Sequence, residues 1–136
     1  MRFRVEVVCL HDGGEQRCSV VEMERAELAQ ETLGMSVAEG KAMLHGVQDF
    51  MATQQVIEDL KRKCVCPNCG QRYHSKDAGT HTVKTVFGAV EVPNQRWERC
   101  PCQTEEPRTF RPSAAWLPGA RAPVPRCYIW KPSGPP

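Results

Sequence analysis

The chain has 136 residues, enough for one domain or two small ones with a modest core. A quarter of it is charged and the mean hydropathy is −0.48, and no apolar run approaches the ~20 residues of a membrane span. The net charge of +2 hides an asymmetry: residues 1–60 hold five Lys/Arg against eleven Asp/Glu, residues 61–100 hold eight against three, and residues 101–136 five against two. The basic portion is also where most of the cysteines lie, and a basic surface there suits a polyanion such as nucleic acid, the alternative being a solvated charged face.

The N-terminus, "MRFRVEVVCL", is a short alternating segment without the long apolar core of a secretory signal. The expected compartment is therefore the cytoplasm, where cysteines serve as metal ligands, catalysts or packed thiols. Phe3, Val5, Val7 and Cys9 fall on one face of a strand. "HDGGEQ" follows, and Gly13-Gly14 suits a two-residue hairpin loop. That loop would set Val7 opposite Val20 and Cys9 opposite Cys18, both thiols being read as small buried or half-buried groups.

"ERAELAQETLG" is polar and helix-favouring, and Gly34 ends it, so a first helix is expected here. "SVAE" makes a capping box, Ser36 as N-cap and Glu39 reaching back. The next helix runs from about Val37 to Leu60, with Met43, Val47, Phe50, Ile57 and Leu60 at helical spacing and Gln54 interrupting the stripe. This face reads as core or as a helix-partner surface.

The segment "KRKCVCPNCGQRYHSK" carries the chemistry. Cys66 and Cys69 stand two residues apart with Gly70 directly after, which is a metal-binding knuckle: the tight turn aims two thiolates at one point. "THTVKTVF" and "AVEVPNQRW" then read as a β-hairpin meeting at Gly88, with Val83, Phe87, Val90 and Val92 on its apolar side. Pro93 argues for an edge position or a bend. The hairpin returns the chain to Cys100-Pro101-Cys102. Cys66, Cys69, Cys100 and Cys102 would form a closed four-thiolate site that fits structural Zn2+. The second pair is one residue shorter than a standard knuckle, so Cys64, His74 and His81 stand as reserve ligands. A redox Cys-x-x-Cys is the rival reading, but such a pair normally opens a helix in an α/β setting.

Lys61, Arg62, Lys63, Arg72, Lys76, Lys84, Arg96 and Arg99 surround this module, with Tyr73 and Trp97 among them. Cations interleaved with aromatics suit phosphate contacts and stacking on exposed bases. The alternative is that Trp97 packs on the hairpin. No catalytic residues are expected: His11, His45, His74 and His81 are scattered, and the chain has no nucleophile-and-base set and no glycine-rich phosphate loop. No small-molecule substrate or membrane partner is expected either.

The order of "ETLGMSVAEGKAMLHGVQDFM", "CPNCGQRYHSKDAGTHTVKTVFGAVEVPNQRWERCPC" and "FRPSAAWLPG" resembles the N-terminal region of ISKra-type insertion-sequence transposases, over most of residues 28–119. The resemblance implies DNA binding, with transposon ends as the DNA, and self-association or contact with a full-length transposase. In that family a catalytic domain of the RNase H-like class follows, with acidic residues that hold two metal ions; this chain contains none of it. Past residue 120 the family continues as a helix resembling "LLYLEAKWA", whereas this chain reads "CYIWKPSGPP". The two strings can come from one stretch of DNA read in different frames, so residues from about Arg121 on are expected to be an out-of-frame tail.

The sequence thus predicts an α+β protein. An N-terminal hairpin and two helices occupy residues 1–60, a zinc-ribbon-like hairpin module residues 61–103, and a disordered Pro-rich tail residues 104–136. Its expected function is that of the DNA-binding or assembly part of a transposase without strand-transfer chemistry, the alternative being a stand-alone zinc-ribbon interaction or regulatory module.

Overall fold

Alternation of apolar and polar residues near the N-terminus produces an antiparallel hairpin of β1 (Arg2–His11) and β2 (Gly14–Glu24). The computed structural model describes residues 1–105 and 107–117. Val5, Val7 and Cys9 lie on the more covered face of β1, and Cys18 and Met23 on that of β2. The register differs from the expected one. His11 pairs with Gly14, so Asp12-Gly13 forms the loop, and Val7 opposes Cys18 while Cys9 opposes Gln16. Asp-Gly is itself a preferred two-residue hairpin turn, and Gly14, at φ 134°, already belongs to the strand. A bulge where the pairing passes from Val5↔Val21 to Glu6↔Ser19 leaves Val20 out of the ladder.

The first of the two expected helices does not form. Between β2 and residue 36 the chain makes only a single 3-10 turn, Gln30–Thr32. The segment has no apolar stripe to bury: Leu28 and Leu33 are exposed. Its carbonyls are instead claimed by Arg25, whose guanidinium donates to Glu24 O, Thr32 O and Gly34 O at 3.0 Å each. Arg25 also grips both carboxylate oxygens of Glu39, at 2.9 and 2.8 Å.

The other helix, α1 (Val37–Lys63), starts where the capping box places it. Glu39 N–H donates to Ser36 Oγ at 3.2 Å and Ser36 N–H donates to Glu39 Oε2 at 2.8 Å. Phe50, Val56 and Leu60 are its buried apolar residues, and Gln54 lies buried in the same stripe. Among the described residues α1 is the one α-helix.

β3 (His74–Thr85) and β4 (Gly88–Glu98) form the second hairpin, six residues longer at its start than the sequence suggested. Gly88, at φ 123°, begins β4. Val90 and Val92 are buried, but Phe87 is largely exposed at the turn. A short strand, β5 (Thr109–Phe110), pairs antiparallel with β4 at Trp97↔Phe110 and Glu98↔Thr109, giving the order β3-β4-β5. Pro93 lies in β4 outside the stretch that β5 covers, where its missing N–H costs no ladder bond on that side.

The chain divides into two compact units. The first comprises Met1–Gln55 and Thr82–Glu91, and the second Val56–His81 and the described residues from Val92 on. In the first unit Gly46 of α1 meets Val20 of the bulge, and His45 Nε2 lies 3.0 Å from Ala89 O at the hairpin tip. In the second unit Trp97, Val92, Tyr73, Leu60 and Leu117 are buried together with Ser113. Residues 107–117 therefore correct the tail expectation: they supply β5, a 3-10 turn over Pro112–Ala115, and buried Ser113 and Leu117. The out-of-frame segment proposed from Arg121 on lies outside the described residues.

Candidate metal centre

The end of α1 leads directly into the cysteine site. Cys64 closes the helix, its buried thiol donating to Lys61 O at 3.1 Å. An isolated bridge between Val65 and Arg72, with Tyr73 N–H donating to Cys64 O at 2.9 Å, then pinches the chain into a loop. Within it Cys66 N–H donates to Gln71 O at 2.8 Å and Gly70 N–H to Cys66 O at 2.9 Å. The turn requires φ +72° at residue 70, which glycine adopts without strain.

The second pair leaves β4 at its C-terminal end. Gln103 N–H donates to Cys100 O at 2.8 Å, and Arg99 N–H to Arg108 O at 2.7 Å. The tight Cys100–Gln103 turn compensates for the missing residue of C-x-C. It brings Cys100 Sγ within 3.2 Å of Cys69 Sγ, and Cys102 Sγ within 3.5 Å of Cys66 Sγ.

All four sulfurs lie within 4.8 Å of one another. A tetrahedral ion with metal–sulfur bonds of about 2.3 Å has sulfur–sulfur edges of about 3.8 Å, so the four cysteines can hold a metal ion with small adjustments. Cys64 is not in this group, and neither His74 nor His81 joins it. Four protein sulfurs complete a tetrahedron and leave no position for a reacting water.

The protonation of the thiols reflects this crowding. Burial pushes Cys66 up, but N–H groups of Cys69 and Asn68, with help from the Cys102 and Cys69 thiols, pull it down to about 6. Cys102 is raised, first by its contact with Cys66 and then by burial. Cys69 accepts the Gln71 N–H, which lowers it, yet the Cys100 neighbour and burial leave it raised. Four sulfurs this close cannot all ionise until a cation joins them.

Beneath the site Tyr73 stacks on Trp97 at 5.8 Å, and Phe110 meets both edge-on, at 5.0 and 5.9 Å. Trp97 is 1% exposed and Tyr73 7%. Their burial in this aromatic cluster excludes the base-stacking role expected of them. Trp97 Nε1–H finds its partner in Gln95 Oε1 at 3.1 Å. Phe110, to which the sequence alone assigned no structural role, completes the cluster, and Arg99 lies over its ring at 4.9 Å.

Most of the eight cations are already engaged. Lys61 pairs with Glu58, Lys63 with Asp59, Lys76 with Glu98, Arg96 with Asp77 and Arg99 with Glu105. Arg62 donates to the Glu58 carbonyl. Arg72 and Lys84 are exposed and have no carboxylate partner among the described residues. Sequence reasoning also passed over Arg111, whose placement depends on contacts 17 residues away.

No family model, curated protein or solved structure matches this chain. No helix among the described residues is long and apolar enough to cross a membrane.

Proposed function

We propose that Cys66, Cys69, Cys100 and Cys102 hold a structural Zn2+ ion in a zinc-ribbon module, and that this module is a DNA-binding or assembly element of an insertion-sequence transposase. The convergence of four thiols on one tetrahedral volume carries the metal half of this reading. Zinc is the ion of choice because it accepts four thiolates without geometric strain and has no redox chemistry to damage them. The ligand set is closed, so the metal's contribution is stability: it ties the end of α1, the second hairpin and β5 together in a unit with a small apolar core.

The DNA half rests on two supports from the sequence: the excess of Lys and Arg around the cysteines and the resemblance in residues 28–119 to ISKra-type transposases. Transposon ends are the implied DNA, with a full-length transposase or a second copy of this chain as the assembly partner and the cytoplasm as the compartment. The reading gives the chain no strand-cleavage or strand-transfer role of its own, and among the described residues the four cysteines are the one metal-ligating cluster. The direct test is duplex binding at graded salt. Affinity that falls steeply with salt supports DNA contact, because each neutralised phosphate releases counterions.

One observation favours a second reading, a zinc-ribbon interaction or regulatory module. In the first unit Phe3, Met23, Leu28, Leu33 and Met35 line an open hollow of about 790 Å3. Leu28 is 88% exposed there, an apolar surface suited to a protein partner. A complex insensitive to salt, together with no DNA affinity, would favour this alternative.

A further inference from the structure

We propose that Arg96 and Arg111 form a binding site for a phosphate oxyanion on the second unit, whose ligand in the DNA complex is a backbone phosphodiester. Only the source of the phosphate rests on the DNA reading; the site itself rests on geometry. Arg111 lies just after β5, and its Nη1 donates to Asn94 O at 3.3 Å. Asn94 is buried and its Oδ1 accepts from buried Ser113 Oγ at 2.6 Å, so the arm that holds Arg111 is fixed from behind. Its other terminal nitrogen, Nη2, is buried and has no hydrogen-bond partner among the described residues, and the same is true of Arg96 Nε.

Trp97 pairs with Phe110 in the β4–β5 ladder, so Arg96 and Arg111 are the next residues along the two strands and stand beside each other. Burial lowers the Arg111 pKa first, and the charge of Arg96 lowers it further, with Asp77 opposing. Asp77 is the carboxylate that reaches this pair. It stands 3.7 Å from Arg96 Nη2, beyond hydrogen-bond range, and is itself 44% exposed. Among the described residues the cluster therefore holds two positive charges against one negative, and two guanidinium nitrogens without acceptors. Leaving such donors unmet is costly. A phosphodiester, with one negative charge and several oxygens that match guanidinium forks, answers both deficits. Arg96 keeps 30% of its side chain exposed, so the guanidinium can turn its covered Nε toward a ligand arriving from solvent, and Asp77 on the surface can swing aside. Lys61, Lys63 and Lys76 differ, since each already has a carboxylate within 3.0 Å.

The test uses the full metal-loaded chain, Arg111→Gln and Arg96→Gln, with metal content confirming that each variant folds. Inorganic phosphate should raise the unfolding temperature of the parent protein and not that of either variant. Duplex affinity should fall about tenfold in each variant, and the slope of log affinity against log salt should become shallower by about one. Lys61→Gln, which removes a cation already paired, should leave the phosphate effect intact. Phosphate stabilisation that is lost in the variants, with no DNA binding by the parent, would keep the site and assign it to free phosphate, while removing the DNA reading. Parent-like phosphate response and parent-like salt slope in both variants would overturn the site and leave the DNA reading standing.

Discussion

Gly46 of α1 faces Val20 of β2 so closely that a β-carbon added to the glycine would lie 3.0 Å from Val20 Cβ and 3.2 Å from Val20 O. Val20 is the residue that the bulge leaves out of the strand ladder, and the glycine is what lets helix and hairpin meet there. Gly46→Leu should destabilise the first unit by about 1–3 kcal/mol through overpacking. Gly46→Ala should cost less, because the alanine regains about 1 kcal/mol of helix propensity. Thermal or denaturant unfolding of the two variants measures the difference, and equal stability of Gly46→Leu and the parent would contradict the close approach.

The start of α1 should make stability depend on acid. N–H and hydroxyl groups of Ser36, then Arg25, hold the Glu39 carboxyl down at about 2, against an ordinary value of 4.5. A carboxyl depressed by folding stabilises the protein above its unfolded pKa, and that contribution disappears as pH falls from about 4.5 to about 2. Glu39→Gln should flatten unfolding midpoints over this window. Ser36→Ala should cost about 1 kcal/mol at neutral pH by removing the cap. Unchanged acid sensitivity in Glu39→Gln would show that other carboxylates set the acid limit.

Trp97 is buried in the aromatic cluster of the second unit. Trp97→Ala should cost about 3–5 kcal/mol and release metal at lower denaturant, because the stacked Tyr73 and the edge of Phe110 lose their common contact. Trp97→Phe should keep metal content and lose less stability. Fluorescence supplies a further check in a chain carrying Trp116→Phe and Trp130→Phe, where Trp97 is the one indole left: it should be poorly quenched by added iodide, and ready quenching would place the ring at the surface.

What the sequence made legible was short-range chemistry. Ser36 and Glu39 announce a capping box because both partners lie within one turn, and Cys66, Cys69 and Gly70 announce a knuckle for the same reason. The first hairpin was found, but its turn was placed one residue late, because Asp12-Gly13 and Gly13-Gly14 are both acceptable loops and nothing local shows that His11 pairs with Gly14. The polar segment 24–34 looked helical by propensity alone. Its actual course depends on Arg25 reaching Thr32, Gly34 and Glu39, which no local pattern displays. Trp97 and Tyr73 looked like binding aromatics because they stand among cations. Phe110 meets both rings edge-on, and it sits in a stretch whose prolines and glycines suggested a loose tail.

Cys64 and Cys102 separate the metal reading from simple thiol counting. Cys64→Ser should retain full metal content, since a hydroxyl can replace the thiol that caps Lys61 O. Cys102→Ser should lose metal and loosen the second unit. Metal uptake should strengthen as pH rises, because the raised Cys69 and Cys102 must give up protons to bind. Proton release on titration with Zn2+ in weak buffer measures this directly. Affinity independent of pH would contradict ligation by thiols that are protonated in the free protein.

The most direct test of the central claim is X-ray absorption at the zinc edge on protein purified under reducing conditions, with metal quantified on the same sample. One zinc per chain is expected, surrounded by four sulfurs at about 2.3 Å. A sample without bound metal, or zinc with nitrogen or oxygen in its first coordination sphere, would contradict assignment of Cys66, Cys69, Cys100 and Cys102 as a closed structural site.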